Sequence, residues 1–323
     1  MDYAPRYLDP PFRITRTSHV CLTVRDLDTS VAFYETLAGL VVTARDEATA
    51  WLRGIEEVAH HCLVLRRSDE VPSCDAIGFR VERETDLDAA AAHFGGAAER
   101  VERVGQGPTL LVSHPSGIRF ELVAGMQVQP RILTDYPAHK GARALRLDHL
   151  QVIVPDVSAT GTSFLDMGFR AAEVIADRAQ GRFNGMFLHR KNNPHDLVLA
   201  LGQGPRLHHF AVVVPDLQAM FRAADIAASL GMGEKVERGP GRHGPGNGSF
   251  VYVRDPDGHR IELIMPPMQV IDAEEPTRVW DAADKGRIVP WGGPASNRWR
   301  EEATPFSGVP LSAEGALARW VAD

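Results

Sequence analysis

Three short segments of the chain open on a histidine, run through a strand-like apolar stretch and end at an aspartate beside a turn. They are "HVCLTVRDLD" from His19, "HLQVIVPDVS" from His149 and "HFAVVVPDLQ" from His209. Each is followed by a helix-like stretch that stops at a glycine, Gly39, Gly168 or Gly231, a residue that ends helices without side-chain strain. A fourth, weaker copy, "AIGFRVERETDLDAAAAHF", starts at Ala76 and has two extra residues before its helix. Module ends recur as well: "LVSHPSGIRFELV" echoes "YVRDPDGHRIELI", each a Pro-x-Gly turn between two strands. A strand, a helix and a hairpin used four times restrict the chain to an α+β fold of four βαβββ modules. Because the module ends recur twice, the modules pair into two domains.

The expected boundaries are an N-terminal arm at 1–13, a first domain at 14–128, a polar Pro/Gly linker at 129–143, a second domain at 144–268 and a tail at 269–323. Trp280, Trp291, Trp299 and Trp320, four of the five tryptophans, lie in the tail, so it is expected to pack on the body. A net charge of −7 argues against nucleic acid as a partner. No apolar run approaches the roughly 20 residues of a membrane helix, and the acidic, proline-broken start does not read as a signal peptide. Cys21, Cys62 and Cys74 are odd in number and show no CxxC spacing, which suits a reducing compartment and a cytoplasmic protein.

A lone histidine in a strand is more often a satisfied structural residue than a ligand. The repeat changes that weighing. His149 and His209 open their strands sixty residues apart, and Glu262 closes the fourth module. On neighbouring strands of one cupped sheet, two imidazoles and a carboxylate make a facial set with open coordination positions, which favours non-haem Fe(II) and leaves Mn(II) open on chemistry alone. The first half carries His19 and Glu121 at the equivalent places but Ala76 where His209 stands, as one degenerate copy of a duplicated site would. His208 is the rival of His209 and is expected on the opposite face by strand alternation.

The stretch from Gly241 to Glu262 holds a longer pattern. It reads Gly241-x-His243, seven residues, Val251-Tyr252, two residues, Asp255-Pro256-x-Gly258, three residues and Glu262. With it the chain resembles the vicinal-oxygen-chelate (glyoxalase/bleomycin-resistance-like) superfamily, and within it the two-domain extradiol ring-cleaving dioxygenases. "LDHL", "HRKNNPHD", "GPRLHHFA" and "ERGPGRHG" look most like the homoprotocatechuate 2,3-dioxygenase and catechol 2,3-dioxygenase group. The resemblance is strong over about residues 144 to 265 and architectural elsewhere.

It implies metal ligands His149, His209 and Glu262, an acid/base histidine at His195, and donors to substrate at His243 and Tyr252. Arg238 falls where that group holds a substrate carboxylate. A second such arginine has no clean match, since Ile288 takes the place with Arg287 adjacent, and Phe187 stands where the group has a tryptophan. The implied reaction inserts both atoms of O2 into a substituted catechol, carboxylated or not, to give a semialdehyde or keto acid, in a homo-oligomer, dimer or tetramer. The alternatives are a non-catalytic protein that binds an aromatic ligand, and another metal enzyme of the same fold, glyoxalase-like or of the 4-hydroxyphenylpyruvate oxygenase type.

Overall fold

The aspartates that close the repeated strand runs are helix caps. In the computed structural model, which describes residues 10–272 and 274–310, Asp26, Asp156 and Asp216 accept hydrogen bonds from the backbone N–H groups of Thr29, Ala159 and Ala219 at 2.8, 2.9 and 2.8 Å. Such caps are worth about 1 kcal/mol each. Gly39, Gly168 and Gly231 end the helical segments at φ 77°, 92° and 73°. The weaker copy lacks this device, and its helix is instead started by Asp86, which accepts from Arg83 N at 2.8 Å. The first nine residues of the expected arm, and Trp320, lie outside the described residues.

The first module is β1 (Ile14–Val24), α1 (Leu27–Phe33, continued by a π turn), β2 (Val41–Arg45), β3 (Thr49–Arg53) and β4 (Leu63–Arg67). The second is β5 (Cys74–Val81), α2 (Glu84–Phe94), β6 (Ala98–Val101), β7 (Thr109–Ser113) and β8 (Arg119–Val123). The third is β9 (Arg146–Val154), α3 (Val157–Asp166), β10 (Arg170–Asp177), β11 (Arg182–His189) and β12 (Leu197–Leu201). The fourth is β13 (Arg206–Val213), α4 (Leu217–Ser229), β14 (Val236–Arg242), β15 (Ser249–Arg254) and β16 (Arg260–Ile264). Modules pair through their first strands, β1 with β5 and β9 with β13, both antiparallel. The resulting sheets run β2-β3-β4-β1-β5-β8-β7-β6 and β14-β15-β16-β13-β9-β12-β11-β10, and the tail adds β17 (Arg278–Asp281) beside β10 and β18 (Thr304–Pro305) beside β13.

One apolar core serves both sheets. Phe79 of β5 stacks edge-on against Phe169 at 5.4 Å between ring centres and against Phe120 at 5.7 Å. Polar ties cross the same boundary: Tyr34 Oη donates to Asp255 Oδ2 at 2.9 Å, Thr17 N to Asp196 Oδ1 at 2.7 Å, and His259 Nε2 to the Thr23 carbonyl at 2.8 Å. Within its described residues the tail packs on the body as expected, with Trp280 buried against β10. No helix among the described residues is long and apolar enough to cross a membrane.

Beneath the second sheet a buried ion network fixes β14, β15 and β16 together. Glu237 accepts from Arg260 Nε at 2.6 Å and from Arg254 Nη2 at 2.9 Å, while Arg260 Nη1 donates to the His208 carbonyl at 2.9 Å. Burial favours the neutral acid, but the two guanidiniums outweigh it and hold the Glu237 carboxyl at about 2 against an ordinary 4.5. The stabilisation is therefore complete above about pH 4.5 and is lost as the pH falls toward 2. Glu237→Gln is expected to lower the unfolding free energy at pH 7 by about 3 kcal/mol, because it leaves buried guanidiniums unpaired, and to flatten the loss of stability in acid. Denaturant titrations at several pH values check both, and an unchanged midpoint would contradict the assignment.

Candidate metal centre and active site

Strand register places the three candidate ligands. On the adjacent strands β9, β13 and β16, His149 pairs with Ala211 and Ala211 with Glu262, so these residues form one row across the sheet. His209 lies two residues before Ala211 and so shares its face. The ligand atoms form a tight triangle. His149 Nε2 and His209 Nε2 stand 3.1 and 3.2 Å from Glu262 Oε2 and 3.2 Å from each other.

What fixes each ring is visible one bond further out. His149 Nδ1 donates to Asp148 Oδ2 at 2.8 Å, and a carboxylate only accepts, so Nε2 faces the triangle and is the nitrogen whose lone pair is free once the ring sheds its second proton. Asp148 is held in turn by Asn193 Nδ2 and, through its backbone carbonyl, by Lys191 Nζ. For His209 the orienting group is a second histidine. His208 Nε2 faces the Trp299 carbonyl at 2.8 Å and must donate to it, so His208 Nδ1 accepts from His209 Nδ1 at 2.7 Å. His209 therefore also turns an Nε2 lone pair inward. Alternation alone predicts His208 on the remote face. A register shift between Leu207 and His209 keeps the two rings side by side, and His208 is no rival ligand.

All three groups are buried, and the Glu262 carboxyl lies well below its ordinary range because the three facing histidines outweigh the effect of burial. Burial also opposes charge on the imidazoles. Asp148 and Glu262 nevertheless raise His149 to about 9, while His209 is lowered to about 4. Glu262 Oε1 has no hydrogen-bond partner. An orphaned carboxylate oxygen beside two inward lone pairs fits a divalent cation that is taken by two nitrogens and one oxygen.

The first half supplies the contrast. His19, Gly78 and Glu121 form the equivalent row on β1, β5 and β8, and Ala76 occupies the place of His209. A Cβ on Gly78 would lie 2.2 Å from the His19 ring, so only glycine fits there. Glu121 accepts from His19 Nε2 at 3.0 Å, Arg103 Nε at 2.7 Å and Gln106 Nε2 at 3.2 Å. Both of its oxygens are satisfied by fixed donors. By the β6–β7 and β14–β15 registers Arg103 is the counterpart of His243, so a permanent cation stands in that copy.

Seven of the remaining expectations fall as follows. His195, Phe187, Arg238, His243 and Tyr252 line the same cavity as the triad, about 210 Å³ in volume. The His195 ring lies 4.2 Å from that of His149, its Nδ1 has no partner, and burial and then the His149 charge hold its pKa well below 6.5. Gly246, at φ 66°, lets the turn after His243 approach to where a Cβ would meet His195 Cε1 at 3.0 Å. His243 Nε2 and Tyr252 Oη are 2.9 Å apart, and His243 Nε2 is 3.6 Å from Glu262 Oε1. The Arg238 guanidinium lies 4.4 Å from the centre of the Trp299 ring and 4.8 Å from that of Phe250, and its Nε has no partner. Arg287 is a correction. Its side chain is 73% exposed and faces Asp284 at 4.0 Å, and Ile288 lines the cavity instead. Asp148 and His208 lie inside the stretches "LDHL" and "GPRLHHFA", but an orienting role for either of them is not read from the sequence.

The family model for the Glyoxalase/Bleomycin resistance protein/Dioxygenase superfamily matches residues 146–263. A metapyrocatechase of Pseudomonas sp. (strain CF600) is 29% identical over 295 residues, 85% of this chain and 94% of that protein. The manganese-dependent 2,3-dihydroxybiphenyl 1,2-dioxygenase of Geobacillus genomosp. 3 is 28% identical over 300 residues, 87% and 94% of the two chains. Among solved structures, the homoprotocatechuate 2,3-dioxygenase of Brevibacterium fuscum in complex with 3,4-dihydroxyphenylacetate superposes with a TM-score of 0.89 at 34% identity, covering 96% of this chain and 99% of that one. The enzyme of that name from Arthrobacter globiformis gives 0.90 at 34% identity, covering 97% and 100%. With that likeness running through both halves, the chain belongs to the two-domain extradiol ring-cleaving dioxygenases of the glyoxalase, or vicinal-oxygen-chelate, superfamily.

Proposed function

We propose that His149, His209 and Glu262 hold a divalent metal ion, Fe(II) ahead of Mn(II), and that the chain uses it to open a substituted catechol beside its hydroxyl pair with O2. The buried triangle of His149 Nε2, His209 Nε2 and Glu262 Oε2, with Glu262 Oε1 left without a hydrogen-bond partner, carries this reading. Bound there, such an ion would acidify the catechol hydroxyls and lend electron density to dioxygen. The rest is the work of the side chains. Asp148 and the His208–Trp299 pair preset the imidazoles, so no reorganisation is needed when the site fills.

His195 is the acid/base. Burial keeps it neutral, so it can take the second catechol proton and return it when the ring opens. Burial raises the Tyr252 phenol, which stays protonated, and with His243 it offers hydrogen bonds to oxygens on which charge develops, each worth about 2.7–4 kcal/mol in comparable sites. Arg238 is the one Arg or Lys among the described residues that line this cavity. With Ile288 beside it, a carboxylate there would meet one guanidinium and no second cation from the cavity lining. Three free cysteines support a cytoplasmic setting.

Loading with Fe(II) without air, then adding catechols and oxygen, is expected to give oxygen uptake and a ring-opened chromophore; iron-loaded protein that opens no catechol contradicts the reading. Oxygen uptake also separates it from a purely ligand-binding protein. His195→Phe is expected to keep metal and catechol affinity while kcat drops about 10²–10⁴-fold, and an unchanged kcat removes the acid/base role. His208→Phe is expected to weaken metal affinity about 10–100-fold. His208→Gln, which can still accept from His209 and donate to the Trp299 carbonyl, should restore much of it; equal affinities in both variants would refute the orienting role.

A further inference from the structure

The cavity that holds the triad opens into a second space. It shares Ile175, Asn184, Arg238, Ile288, Val289 and Ala295 with an outer chamber of about 950 Å³. Sites for drug-sized ligands occupy about 300–1,000 Å³. The inner 210 Å³ suits one ring with a diatomic gas, and the outer chamber has room for a further group of ring size.

Four of the six shared residues are apolar, so a group attached directly to the catechol ring passes through an oily throat. Its one fixed charge is Arg238, whose faces are covered by Trp299 and Phe250. A short carboxylate arm would be desolvated beside Ile175 and Ile288 with a single guanidinium to answer it, a costly exchange. Beyond the throat the chamber is walled by Ala282, Ala283, Pro290 and Pro294, with the half-exposed indole of Trp291 also facing it. Arg182 and Asp177 of that chamber face each other at 3.9 Å. Lys285 and Arg300 also line this chamber and do not line the inner cavity. An indole beside alanines and prolines suits an aromatic group.

We infer that the preferred substrate is a catechol bearing a bulky apolar arm, about the size of a second aromatic ring, which passes Ile288 into the outer chamber. This rests on the ring-cleaving reading of the triad. The test compares kcat/KM for catechol, 3,4-dihydroxyphenylacetate and 2,3-dihydroxybiphenyl with the metal-loaded protein. It also compares equilibrium binding of biphenyl and phenylacetate, which lack the hydroxyl pair, to the metal-free protein.

The biphenyl compounds are expected to lead in both measurements, by at least about tenfold over the acids. Ile288→Arg should reverse the order by lowering the biphenyl diol and raising the acid. Equal values, or a lead for the acids in the unsubstituted chain, overturn the inference whatever the variant does. Cleavage of plain catechol without preference for the biphenyl diol defeats the arm alone. No cleavage of any catechol defeats the ring-cleaving reading as well.

Discussion

Glu262 is a carboxylate set in the middle of a sheet, nearly without exposure, with one oxygen left without a partner. A charge in that position is tolerable only if something positive meets it, and the surrounding structure is arranged around that demand. His149 and His209 flank it at 3.1 and 3.2 Å. Asp148 and His208 decide which nitrogen of each ring looks inward. The Glu237 network braces the strands behind, reaching His208 through its carbonyl.

The two halves show what happens when that demand is met differently. Glu121 has the same place in its sheet, but Arg103, Gln106 and His19 saturate both of its oxygens. A guanidinium cannot leave or change its oxidation state, so the first half keeps the geometry of a ligand row and is closed to its chemistry. The two halves differ by His243 against Arg103 and by His209 against Ala76, and of the two glutamates Glu262 alone keeps an oxygen without a partner.

Much of this is legible in the amino-acid sequence alone. The repeat lettering put His149, His209 and Glu262 on corresponding strand positions, and strand period turns corresponding positions into one face. Glycine after each helix marks its end for a local reason, whereas the aspartates, read as turn residues, prove to be the N-caps. The orienting residues were hidden because they depend on a departure from the period: the bulge after Leu207 sets His208 beside its neighbour. Arg287 was misplaced because the tail belongs to no repeat. It lies in the single helical turn Lys285–Ile288, where successive side chains point about 100° apart, so a one-residue offset turns an arginine into solvent and an isoleucine into the cavity.

Thr17, Thr23 and Tyr34 of the first half tie to Asp196, His259 and Asp255 of the second. Thr17 grips the residue next to His195, and the other two secure the turn that leads into the Glu262 strand. The first half thus acts as an external template for the half that carries His149, His209 and Glu262. Drift at that shared face would be felt as a displaced imidazole across the boundary.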